Sequence, residues 1–143
     1  MANAHESHEV IVTENGLGRY QQAVTVGRHQ LIADEPVSMN GADAGPAPFD
    51  YLLTALGACT SMTLRMYAEI KKIPLTNVHV ALRHEKVEIE GRGKFDYIYR
   101  EITLSGELTD EQRVRMLEIA NRCPVHKTLT GTVEIQSRLT DPA

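Results

Sequence analysis

The residues able to do chemistry in this sequence are its two cysteines. Cys59 sits in Ala58-Cys59-Thr60 and Cys123 in Arg122-Cys123-Pro124, far apart in the chain. This spacing is not a CxxC redox motif, nor the paired clusters of four soft ligands that structural zinc needs. The histidines do not complete such a set: His126 stands near Cys123, and His5 and His8 lie at the N-terminal end. No metal is expected. Two readings of Cys59 stay open. In one it is a small apolar residue on a core helix, as free cysteines commonly are. In the other it is a peroxidatic thiol, which reacts as the thiolate and needs a nearby cation to ionise in an apolar site. That reading also needs a resolving thiol, which Cys123 supplies if the helices carrying the two sulfurs pack together.

The element that must position Cys59 is a long apolar helix. Leu52, Leu56, Cys59, Thr63, Met66 and Ile70 follow one another at three- or four-residue steps and so share a face. Leu53, Ala55, Ala58 and Met62 widen that face, so the helix belongs in a core or at a subunit interface, with Met62 and Met66 as packing residues. Pro46 and Pro48 suit the entry to the helix, where a missing N–H costs nothing, and Asp50 has the favourable sign for its dipole. Lys71-Lys72 with Pro74 just beyond mark its end.

Ahead of it, alternating segments predict strands over His8–Thr13, Arg19–Val26 and His29–Ala33, joined by glycine turns into an antiparallel meander. The segment from Asp34 to Pro46 is a loop. Asn77–Glu90 and Phe95–Ser105 read as a long hairpin, with Ile98, Ile102 and Leu104 inward. Val78, Val80 and Leu82 are out of phase with Val87 and Ile89, which predicts a bulge between His84 and Lys86. Thr109 and Gln112 form a capping box for a second helix, which Pro124 ends, leaving Cys123 at its C-terminus. A last strand is expected over Thr132–Leu139, with Val133 and Ile135 on one side. The sum is an α+β domain spanning residues 1–143, with residues 1–7 expected to be disordered.

Composition narrows the function classes. The chain has 143 residues and a net charge of -4 without a basic block, so nucleic acid is not an expected partner. No apolar run reaches the ~20 residues that span a bilayer. The N-terminus lacks the basic flank and apolar stretch of a signal peptide, so a cytoplasmic home is expected, with no membrane partner.

The run GPAPFDYLLTALGACTSMTLRMYA, followed much later by NRCPVHKTL, resembles the osmotically inducible protein C / organic hydroperoxide resistance (OsmC/Ohr) family. The match is nearest the general OsmC-like branch, which shares the loop read here as Ala33-Asp34-Glu35-Pro36. The resemblance implies an OsmC-like fold, with antiparallel sheets packed around a long central helix, and an intertwined homodimer. It also implies a thiol-dependent peroxidase acting on organic or hydrogen peroxides in oxidative stress defence. Cys59 would become a sulfenic acid, Cys123 would resolve it as a disulfide, and an external thiol or dithiol would reset the pair, with no bound cofactor. The activating arginine maps to Arg19, with Arg28 as second choice. One departure stands out: the family's hydroperoxide reductases carry a glutamate after the helix-opening proline, where this chain has Phe49. Asp50 or Glu35 would have to support the arginine instead, and His126 is a further supporting candidate. Against the peroxidase stands a dimer with inert thiols that binds a small hydrophobic ligand or serves as accessory to a partner protein.

Overall fold

The computed structural model describes residues 8–142, so the expectation for residues 1–7 lies outside the described residues. The fold is α+β, and the chain divides after Leu52 into two compact units.

In the first unit three short strands form the expected meander: β1 (Val10–Glu14), β2 (Gln22–Val26) and β3 (His29–Ala33), all antiparallel in that order. The first strand begins two residues later than the alternation predicts and the second three residues later. Asp34 organises the loop that follows. Its carboxylate is buried and accepts N–H bonds from Glu35 (2.8 Å), Ala42 (3.2 Å) and Ala44 (3.0 Å). The Ala44 N–H contributes most to holding the Asp34 carboxyl below its ordinary range, against the opposing effect of burial. Gly41 is obligatory at its place: a Cβ there would lie 2.0 Å from the Glu35 carbonyl oxygen. Helix α1 (Pro48–Lys71) opens on this loop with a proline in its first position, and Asp50 Oδ2 accepts the N–H of Ala47 at 2.9 Å.

The second unit packs the rest of α1 with a hairpin and two further helices. The hairpin is β4 (Leu75–Ile89) and β5 (Gly93–Gly106). Its ladder runs unbroken from Asn77↔Ser105 to Ile89↔Gly93, so the bulge expected at His84–Lys86 is absent, and the register shift lies between Leu75 and Asn77. The change of phase is visible in burial alone, as half-buried positions move from 78, 80, 82 and 84 to 87 and 89. Val87 lies opposite the exposed Phe95, so toward the far end of the ribbon the half-buried side chains of β4 lie on its other face without an extra residue.

The capping box of Thr109 and Gln112 starts α2 (Asp110–Ala120) as read. The helix stops earlier than expected, at Ala120, and Pro124 begins a separate helix α3 (Pro124–Thr130) of which Cys123 is the N-cap. Thr132–Leu139 is not a strand in this chain: it has no regular structure, and Ile135 and Leu139 are 84% and 101% exposed. A strand needs a neighbour to satisfy its N–H and C=O groups, and no strand pairs with this segment among the described residues.

The core consists of Leu64, Ala68, Leu75, Met116, Ile119 and Ala120, flanked by Tyr67, Val78, Ile102 and Leu104. The inward face of α1 is therefore Leu56, Thr60, Thr63, Leu64 and Ala68, while Met62, Met66 and Ile70 are exposed. The face predicted from spacing is thus turned part-way out of this core. Met116 is fully buried in the core. Met116→Ala should cost about 2–5 kcal/mol in urea unfolding, whereas Thr109→Ala, which loses only a cap, should cost about 1 kcal/mol.

Candidate functional site

Cys59 and Cys123 come together in the second unit, where α1 passes the start of α3. The close passage has a local cause. Gly57 presents no Cβ to β4, where the Leu82 methyl would stand 2.8 Å from one. Three residues along α1, the buried Thr60 hydroxyl donates to the Leu56 carbonyl at 2.7 Å and lies 4.0 Å from Cys123 Sγ. The hydroxyl's only proton is committed to Leu56, which leaves the Cys123 thiol as donor in the second contact.

Cys123 is fully buried. As the cap of α3, its sulfur accepts the His126 N–H at 3.3 Å. Cys59 is half-buried and makes a hydrogen bond with the Cys123 thiol. Burial pushes the Cys59 thiol above its ordinary pKa, and the hydrogen bond to Cys123 adds to that. The Val125 N–H and the Thr63 hydroxyl act in the opposite sense by donating to the Cys59 sulfur. The net result is a thiol that holds its proton more tightly than one in water.

The other sequence candidates are distributed as follows. Arg19 and Arg28 belong to the first unit, where the exposed Arg19 guanidinium lies over the Tyr20 ring, 5.2 Å from its centroid. Glu35 gives its backbone groups to the Asp34 loop, donating to Asp34 and accepting from Asp43. Asp50 caps the opening of α1. His126 is next to the thiols through its backbone, and its imidazole lies close enough to Arg100 to feel its charge.

Arg100 is the residue at this site that the sequence reading passed over. It lies on β5 in phase with Ile98, Ile102 and Leu104, and its guanidinium reaches Thr60 Oγ1 (3.1 Å), Ala120 O (3.4 Å) and Asn121 Oδ1 (2.7 Å). A cation in the apolar phase of a strand was the available signal, because a charge pointed inward must find acceptors there.

Residues 41–138 match the OsmC-like protein family. The chain belongs to that family. Among curated proteins none matches it. Solved structures share its fold. One is the OsmC like protein of Mycoplasma pneumoniae (18% identity, 88% of this chain and 89% of that one, TM-score 0.73). Another is the organic hydroperoxide resistance protein OsmC of Legionella pneumophila (18% identity, 87% and 90%, TM-score 0.65). A third is the organic hydroperoxide resistance protein of Elizabethkingia anophelis (19% identity, 93% and 94%, TM-score 0.68). At these identities the likeness is one of fold. Among the described residues of this OsmC-like chain, no His/Cys/Asp/Glu group could hold a metal ion, and no helix is long and apolar enough to cross a membrane.

His126 supplies a direct check on this geometry. Its pKa is lowered, first by burial and then by the Arg100 charge. The unfolded chain therefore takes up this proton at a higher pH than the folded one, so acidification from pH 7 to 5 removes stability. In an NMR titration the His126 ring should change protonation below the ordinary value of about 6.5, and Arg100→Gln should move that midpoint upward.

Proposed function

We propose that this protein is a thiol-dependent peroxidase in which Cys59 reduces organic or hydrogen peroxides and Cys123 resolves the product. The observation that carries this reading is the juxtaposition of the two cysteines, Cys123 buried and Cys59 half-buried, near enough that Cys123 helps to raise the Cys59 pKa. Membership of the OsmC-like family and the hydroperoxide resistance proteins that share its fold support it.

The chemistry balances as follows. The Cys59 thiolate attacks the outer peroxide oxygen, the O–O bond breaks, and the alkoxide leaves as alcohol after taking a proton. The Cys123 sulfur then attacks the sulfenic Cys59, an S–S bond forms, the S–O bond breaks, and water departs. An external dithiol reduces the disulfide and is itself oxidised. Two N–H groups at the start of α3 favour sulfur as acceptor: Val125 faces Cys59 and His126 faces Cys123. Burial opposes the first step, because it keeps Cys59 protonated. The reading therefore assigns Arg19 the role of activating cation, with Arg28 second, and gives Asp50, Glu35 and His126 supporting roles at most. The working form is a cytoplasmic homodimer. The exposed Met62, Met66 and Ile70 on α1, and the exposed Val133, Ile135 and Leu139 beyond α3, favour a second copy as cover.

The raised Cys59 pKa favours a second reading, in which the thiols are inert and the dimer binds a small hydrophobic molecule or serves a partner protein. Peroxide decides between them. Reduced protein given one equivalent of cumene hydroperoxide at pH 7 should lose both thiols and release cumyl alcohol. Cys59→Ser should abolish turnover, and Cys123→Ser should stop at a sulfenic acid that dimedone traps. Survival of both thiols would refute the peroxidase. On the same reading Arg19→Ala raises the pH at which Cys59 is alkylated and slows its reaction with peroxide. A sedimentation mass twice the 15.9 kDa of the chain is expected, and a monomer would exclude the homodimer.

A further inference from the structure

The guanidinium of Arg100 has a reach that a simple packing role would not require. It occupies an inward position of β5, half-buried, opposite Leu82 on β4. Its acceptors lie on two different elements. One is Thr60 Oγ1 on α1, the residue next to Cys59. The others are Ala120 O, at the last residue of α2, and Asn121 Oδ1, in the turn between α2 and Cys123. Ala120 O also accepts the Cys123 N–H at 3.2 Å, and Thr60 Oγ1 is the hydroxyl 4.0 Å from Cys123 Sγ. One rigid fork thus grips the carbonyl from which the Cys123 backbone hangs and the hydroxyl beside its sulfur. The fork's planar geometry fixes both ends together, which a single ammonium on a flexible stem does less well.

We propose that Arg100 is the positioning residue of the thiol pair, holding the Cys123 sulfur in bonding reach of the Cys59 sulfur by tying the turn after α2 to α1. The inference rests on the reading of the two cysteines as a redox couple. A disulfide tolerates only a narrow range of Cα and Cβ separations. Freeing the turn at 120–123 spreads Cys123 over positions that cannot bond, and the effective concentration of one sulfur at the other falls.

The experiment is an equilibrium with glutathione, which needs no peroxide. Two protein thiols give up two protons and two electrons to oxidised glutathione, the Cys59–Cys123 bond forms, and two reduced glutathiones are released. The equilibrium constant reads the effective concentration of the pair. Arg100→Ala should lower it by about tenfold or more, since charged hydrogen bonds are lost from both ends. Arg100→Lys, which keeps the charge and loses the fork, should recover only part of that loss. Asn121→Ala removes the shortest of the three bonds from an exposed site and should lower the constant by about threefold. It decides the matter if the Arg100 variants fail to fold. Arg122→Ala, which removes an exposed charge adjoining Cys123, should leave the constant unchanged. Constants for Arg100→Ala and Asn121→Ala within twofold of the parent would overturn the proposal, as would a parent that forms no disulfide across the glutathione range. A parent that forms the disulfide yet leaves cumene hydroperoxide untouched would overturn the peroxidase and leave the role of Arg100 standing.

Discussion

Taking a sulfur out of water makes it harder to charge, and the arrangement around Cys59 is a response to that cost. Burial is the largest influence on the thiol and it favours the proton. The Val125 N–H and the Thr63 hydroxyl return part of what water would have given. Dipoles of this kind stabilise a thiolate less than a full positive charge at the same distance. The Arg100 charge, which reaches the residue next to Cys59, is engaged by Thr60, Ala120 and Asn121. The local structure thus does two separable jobs: it brings the sulfurs together, and by burial it favours the proton on Cys59. A peroxidase reading and an inert-thiol reading share the first job and part over the second.

The positions of the sulfurs follow from the packing of one ribbon against one helix. Gly57 and Thr60 are three residues apart on α1, so they face the same side. Leu82 and Arg100 are direct cross-strand neighbours, and they meet Gly57 and Thr60 respectively. A missing side chain lets the ribbon approach, and a long one then reaches over α1 to the turn before Cys123. The ladder holding Leu82 and Arg100 in register runs unbroken through both, which gives the guanidinium a firm base. On the other side, Met116, Ile119 and Ala120 fix α2 against Leu64 and Ala68, so Ala120 O is offered from a buried residue.

Much of this was legible in the sequence where the signal is local. The capping box at Thr109, the strand His29–Ala33 and the long helix after the paired prolines are set by neighbouring residues, and they appear where read. The misreadings share a cause: one signal compatible with two structures. Pro124 stops a helix, but it is equally at home in the first position of one, and here it starts α3 with Cys123 as cap. That ambiguity moved Cys123 from the end of one helix to the beginning of another, which changes which N–H groups its sulfur meets. The phase change along β4 had a bulge as one solution and a change of sheltered face as another, and the chain uses the second. Arg100 was hidden because period-two reasoning counts apolar residues, and a cation in the same phase registers as a gap in the pattern rather than as part of it.

The segment Thr132–Leu139 makes a different point. Its alternation of Val133 and Ile135 with polar residues is the pattern of a half-buried strand, yet the segment is exposed and unpaired among the described residues. Alternation records the surface a segment is suited to face. It does not say which chain supplies that surface, since strand formation is a property of a pair. The exposed Met62, Met66 and Ile70 carry the same information from α1, whose apolar girth exceeds what the core of one copy covers. Apolar pattern in excess of apolar burial is the physical argument behind the proposed homodimer.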